Sequence, residues 1–138
     1  MKAIVTQESL ALRLADLPRA LPELQLLVLF GSAVRGRHGA RSDVDLAVRC
    51  DGPADLDALY LAFAPRLGTD RVDLIDLRRA GSLLAFEVAR TGRLLFEREP
   101  GTFRQFQALA SRRYCDTEKL RRAQRRAIHV CLEREGLA

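Results

Sequence analysis

Asp43 and Asp45 occupy alternate positions of the run Asp-Val-Asp-Leu-Ala-Val-Arg (43–49), which reads as a β-strand. Positions i and i+2 of a strand project to one face, so the two carboxylates stand side by side, about 6–7 Å apart at Cα. Like charges that close repel unless a cation lies between them. Hard oxygen donors of this kind suit Mg²⁺, which keeps several waters and takes further ligands from phosphates. The competing reading is a pair of solvent-facing aspartates opening an edge strand, where carboxylates do little harm.

A second feature lies upstream. The apolar run Leu-Gln-Leu-Leu-Val-Leu-Phe (24–30) is too short and too continuous for a surface helix and reads as a buried strand. It leads directly into Gly31-Ser32. Glycine lets a backbone approach phosphate oxygens closely, and a serine at a helix start adds a hydroxyl beside free amides. Gly-Ser is a common turn dipeptide, so the pair carries weight only in its context.

That context is the spacing. Ten residues separate Ser32 from Asp43, giving Gly-Ser-x10-Asp-x-Asp with an apolar strand on each side. The chain here resembles the DNA polymerase beta-like nucleotidyltransferase superfamily, in particular its minimal nucleotidyltransferase branch. The text that carries the resemblance is Leu-Phe-Gly-Ser-Ala-Val-Arg-Gly (29–36), Ser-Asp-Val-Asp-Leu-Ala-Val (42–48) and Arg-Val-Asp-Leu-Ile-Asp-Leu (71–77). It extends over roughly residues 10–97, with a looser match through Tyr114 and Asp116.

The resemblance implies a third carboxylate on a neighbouring strand, and Asp73 and Asp76 compete for it. Three positions apart, they face opposite sides of a straight strand. Asp73 fits the Arg-x-Asp-apolar pattern and sits mid-strand, where a carboxylate without a purpose is costly; Asp76 reads as a cap or a water-facing residue. The implied catalytic and metal-binding set is Asp43, Asp45 and Asp73, with Gly31, Ser32, Arg35 and Ser42 on the nucleotide. The implied chemistry is phosphoryl transfer with two Mg²⁺ ions and ATP as substrate. One ion on Asp43 and Asp45 grips the triphosphate; the other, shared with Asp73, activates a hydroxyl that attacks the α-phosphorus. Branch members typically serve as antitoxins that transfer AMP to a tyrosine of a HEPN-domain ribonuclease toxin, so the implied partner is such a toxin. Competing readings are a transferase for small aminoglycoside-like hydroxyl compounds and a toxin-binding module without catalysis.

The elements that must hold these residues follow from periodicity. A helix is expected over 7–17, interrupted by Pro18 and Pro22, and a helix over 54–67 carries Leu56, Leu59, Tyr60 and Phe63. A third strand covers 71–77, a helix 80–90 and a short strand 93–96. Beyond Pro100 the pattern is helical, with one stripe of Phe103, Phe106 and Ala110 and another of Leu120, Ala123, Ala127, Ile128 and Cys131. The expected fold is α/β (α+β), a small mixed sheet flanked by helices with two C-terminal helices. It forms a single domain over 1–138, with a catalytic part over about 1–98 and a helical part over about 100–138.

Composition narrows the setting. Apolar residues at 48% and charged residues at 30% describe an ordinary folded chain. Cys50, Cys115 and Cys131 lack the number and spacing of a disulfide framework or zinc site. No signal-type apolar region or membrane-length run occurs, so a cytoplasmic setting without membrane contact is expected. Residues 103–135 hold nine Lys/Arg against four Asp/Glu and carry the whole net charge of +5. This basic segment includes Lys119, Arg121, Arg122, Arg125 and Arg126, which offer either a docking face or a solvated one. An aromatic-and-basic ladder for stacking bases is lacking, which argues against direct nucleic-acid binding.

Overall fold

The computed structural model of the chain describes residues 6–31, 34 and 43–136. Its centre is a four-stranded sheet of β1 (Leu24–Phe30), β2 (Val44–Cys50), β3 (Val72–Asp76) and β4 (Arg93–Glu97), in the order β3-β2-β1-β4. β1 pairs antiparallel with β2 and β4, whereas β2 and β3 run parallel. A parallel pair needs a long crossover, and helix α3 (Leu56–Leu67) supplies it. Asp55 caps α3, its side chain accepting from the Ala58 N–H at 3.1 Å, and Gly68 ends it in the left-handed region at φ 69°.

Both faces of the sheet are covered, which explains the nearly unbroken apolar run of β1. Helices α1 (Gln7–Arg13) and α2 (Leu17–Ala20) lie with α3 on one face. There Leu10, Leu14, Leu17, Leu59 and Phe63 pack on Leu27, Leu29, Val44, Leu46 and Val48. The other face carries α4 (Ser82–Thr91) and the start of α5 (Thr102–Arg134), where Ala85, Val88, Phe106 and Ala110 close on Leu26, Val28 and Ala47. Each strand therefore sends alternate residues to two separate cores. Pro18 does not break the helical pattern so much as restart it, falling in the first turn of α2 where its missing N–H costs nothing.

The α+β class and the mixed sheet agree with expectation, but the two C-terminal helices are one. α5 runs for 33 residues, about 50 Å at 1.5 Å per residue. Nothing between Ala110 and Leu120 breaks a helix, since the segment contains neither Gly nor Pro, and a Glu118–Arg122 pair bridges one turn at 2.9 Å. The two apolar stripes are successive stretches of the same helix. The first is packed. The second is exposed, with Leu120 at 59% and Ile128 at 60%. Tyr114 ends the packed part by stacking on Phe86 of α4, ring centroids 4.0 Å apart. Arg121 covers the other side of Tyr114, with its guanidinium 4.2 Å from the ring centroid.

Glu97 and Arg98 fix the turn into α5. The Glu97 carboxylate accepts from the Gly101 and Phe103 amides at 3.2 and 3.0 Å, filling the helix start that the Gly101 cap leaves open. Arg98 donates to the carbonyls of Leu24, Pro18 and Leu21 at 2.9, 3.0 and 3.1 Å, tying the end of β4 to α2 and β1.

Candidate active site

The site begins where β1 ends. Gly31 has φ 77°, a conformation that L side chains avoid. Phe30 pairs with Asp45 across the antiparallel ladder, which brings the next residue, Gly31, against the Asp45 side chain. A Cβ built on Gly31 would collide with the Asp45 carboxylate, its Oδ2 first, with Cγ and Cβ at 3.1 and 3.2 Å. Glycine is thus required twice here, by backbone angle and by contact.

Strand alternation aims the acids. Val44, Leu46 and Val48 enter the core beneath α1 and α3, so Asp43, Asp45 and Ala47 belong to the opposite face. On β3 the partly buried Val72 and Leu74 pack on the first core while Ile75 and Leu77 join the second, which puts Asp73 on the face of Asp45. The parallel register pairs Asp45 directly with Asp73, and neighbouring strands lie about 4.8 Å apart. Asp43 and Asp73 are exposed and Asp45 is half-buried. The strand is tied at this end by the Val44 amide, which donates to the Arg71 carbonyl at 2.8 Å.

Asp76 is placed elsewhere. It pairs with Val48, on the opposite face from Asp73, and is 7% exposed. Its Oδ1 accepts from the Arg78 amide at 2.9 Å, while its carbonyl accepts from the Arg79 and Ala80 amides at 3.0 and 3.1 Å. Of the two roles expected of Asp76, the capping one is present, and the side chain is largely buried rather than facing water. Asp73, for its part, escapes the expected cost of a mid-strand carboxylate because its position is exposed.

Of the remaining expected site residues, Ser32, Arg35 and Ser42 lie outside the described residues. Tyr60 is half-buried and its hydroxyl donates to the Asp70 carbonyl at 2.7 Å, an anchor at the end of α3. Among the described residues no three carboxylate, imidazole or thiol groups lie close enough to hold one metal ion together. The carboxylates of Asp43, Asp45 and Asp73 share a face without forming a closed cage. That donor set fits Mg²⁺, which is held by one or two carboxylates together with substrate phosphates.

A mixed four-stranded sheet with an acidic pair on its second strand, a third carboxylate in register beside it and a glycine turn against them defines an α+β protein of the nucleotidyltransferase fold. The family model described as "Polymerase beta, Nucleotidyltransferase" matches residues 14–101, ending where α5 begins. The chain belongs to this family of nucleotidyltransferases. It is 29% identical over 131 residues to the protein adenylyltransferase MntA of Aphanizomenon flos-aquae, covering 85% of this chain and 86% of that protein. A protein of the same name from Shewanella oneidensis is 39% identical over 79 residues, 55% of this chain and 56% of the relative. Among solved structures, a toxin-antitoxin complex with AMP-PNP superposes with a TM-score of 0.72 at 28% identity, covering 91% of this chain and 99% of that one. The MNT antitoxin bound to a tri-AMPylated Shewanella oneidensis HEPN toxin gives 0.60 at 29% identity, with coverages of 93% and 99%. The resemblance read from the Gly-Ser and Asp-x-Asp spacing is borne out by both kinds of comparison.

Sequence reasoning overlooked Glu97 and Arg98, whose role becomes visible only once the β4–α5 turn is built. It also overlooked a convergence of Arg49, Arg78 and Arg113 beneath α5. These arginines come from β2, the turn after β3 and α5, so no local spacing announces them.

Proposed function

We propose that this protein transfers AMP from ATP to a hydroxyl group of a protein partner, and that the partner is a HEPN-domain toxin whose activity it restrains as an antitoxin. The observation that carries the reading is the in-register pair of Asp45 and Asp73 beside the Gly31 turn. Relatives named for protein adenylyl transfer, and neighbours solved as toxin-antitoxin complexes with an ATP analogue or an AMPylated toxin, support the choice of acceptor. A tyrosine hydroxyl of the toxin is the proposed acceptor.

In this proposal Asp43 and Asp45 would hold Mg²⁺ together with the ATP phosphates, and Asp73 would help hold a second ion. When bound, the metal supplies charge neutralisation at the phosphates and acidifies the attacking hydroxyl. Asp73, exposed at the edge of the site, accepts the acceptor's proton as its oxygen attacks the α-phosphorus; pyrophosphate leaves on the opposite side. Gly31, lacking a Cβ, leaves room for the Asp45 carboxylate to lie against the turn, where its oxygen can face the metal. Ser32, Arg35 and Ser42 complete the phosphate cradle in the same proposal.

Residues 1–138 act as one unit, with α5 adding a surface to the catalytic α+β part. No described helix is long and apolar enough to cross a membrane. A cytoplasmic setting, where ATP, Mg²⁺ and an intracellular toxin meet, completes the reading.

The test is the intact mass of the product of the neighbouring gene after incubation with this protein, ATP and Mg²⁺. A gain in whole AMP units, absent with Asp43→Asn/Asp45→Asn, is expected. An unchanged partner that is bound and silenced equally by both proteins would instead establish a binding module without transfer.

A further inference from the structure

Beneath α5, past the stretch of sheet that α4 covers, lies a pocket of about 350 Å³. That falls within the about 300–1,000 Å³ typical of small-molecule sites. Its charged rim is Arg49 of β2, Arg78 of the turn after β3 and Arg113 of α5. Leu77, Ala85 and Phe106 supply an apolar floor. None of the acids read as catalytic lines it. Arg49 lies four positions beyond Asp45 on the same face, about 13 Å along the strand, and Ala47 between them is buried against α4.

Three guanidinium groups bordering one small pocket concentrate positive charge there, which favours an anionic ligand. Among the described residues, none of the three side chains enters an ion pair or a hydrogen bond. Two carboxylates lie nearby: Asp76 is buried, with an oxygen accepting from the Arg78 amide, and Asp116 lines the adjoining depression with Arg78 and Arg113. The arginines come from three separate segments, so the fold itself gathers them. Guanidinium is the side chain best shaped to grip a phosphoryl group by paired hydrogen bonds. An apolar floor adjoining that charge calls for a ligand with a flat or apolar body attached to the anion.

We propose that this pocket is a second, non-catalytic site that binds a nucleoside monophosphate, its phosphate on Arg49, Arg78 and Arg113 and its base or sugar on the floor by Phe106. The site needs neither the metal nor Asp43 and Asp45, so it stands or falls independently of the transfer reaction.

Calorimetric titration of the full chain with AMP in EDTA tests it, with adenosine and inorganic phosphate as separate probes. AMP is expected to bind wild type and Asp43→Asn/Asp45→Asn alike. The affinity should fall at least about tenfold in Arg49→Gln/Arg113→Gln, the loss of two charge-assisted contacts, and should weaken as ionic strength rises. Arg113→Gln alone, at an exposed helical position, keeps the fold and should give a smaller drop. Adenosine should bind far more weakly than AMP, and phosphate should compete. Loss of binding in the aspartate variant with retention in the arginine variants would place AMP in the transfer site and overturn the proposal. Failure of AMP to bind in EDTA would overturn it as well, and phosphate binding as tightly as AMP would remove the apolar floor from it.

Discussion

Asp73 stands directly beside Asp45 in the parallel register of β2 and β3, on the same face of the sheet, while Asp76 three positions on is buried opposite it. One register thus separates two aspartates of a single five-residue strand into different tasks. Asp73→Asn keeps the size and polarity of an exposed side chain, so stability should change by less than about 0.5 kcal/mol. Turnover should fall by roughly 10²–10⁴-fold, the usual worth of a positioned general base. Nucleotide affinity, which the proposal rests mainly on Asp43, Asp45 and the glycine turn, should change little. Single-turnover transfer measured beside nucleotide titration separates the two; loss of both in parallel would assign Asp73 to binding rather than proton transfer.

Gly31→Ala places a methyl group where the Asp45 carboxylate sits and forces an L residue into positive φ. The backbone alone costs about 1–2 kcal/mol, and Asp45 must move as well. Thermal unfolding should drop by roughly 3–10 °C. Transfer should be almost abolished in the protein that remains folded. Full activity in Gly31→Ala would show that Asp45 need not hold the position described here.

Asp76→Ala should behave in the opposite way. It removes the acceptor for the Arg78 amide from a buried turn, at about 1–3 kcal/mol. Denaturant titration should register that loss, while turnover per folded molecule stays near wild type. Asp76→Asn retains an oxygen acceptor and should recover most of the stability.

The link between α2 and α3 carries a pH dependence. Arg66 donates to Asp16 at 3.0 Å, and that hydrogen bond, with the charge beside it, holds the Asp16 carboxyl below its ordinary value. A carboxyl depressed in the folded state stabilises the fold above its unfolded value and loses that contribution as pH falls through the folded one. The window is therefore acidic, beginning near the ordinary Asp value of 3.8 and extending below it. Both groups meet solvent, so the effect is small and salt-sensitive. Melting curves of Asp16→Asn and wild type should differ slightly at neutral pH and draw together as the pH falls below the ordinary Asp value of 3.8.

The sheet was legible because its strands are marked by composition. β1 is a near-continuous apolar run closed by Gly31, β2 opens with aspartates on alternate positions before an apolar stretch, and β3 is a short apolar run interrupted by Asp73 and Asp76. The direction of pairing was not legible. Nothing in residues 43–49 or 71–77 states that they run parallel and in register, and that pairing is what sets Asp73 rather than Asp76 beside Asp45. Gly31 was chosen for phosphate approach, yet its contact with Asp45 follows from the Phe30–Asp45 ladder pair, a long-range fact. The C-terminal helices were miscounted for a related reason. A change of apolar stripe looks like a break in the sequence, whereas a single helix that outruns its packing partner produces the same pattern.

Among the described residues β3 is the last strand on its side of the sheet, so there one line of its backbone amides and carbonyls has no neighbouring strand. Such a border is a template on which a strand of another molecule could add. β3 limits that hazard by being only five residues long and by carrying the exposed Asp73. The carboxylate proposed for proton transfer would thereby also help keep copies of the protein apart. A variant that neutralises Asp73 loses part of that protection, and its behaviour at high concentration should shift towards self-association.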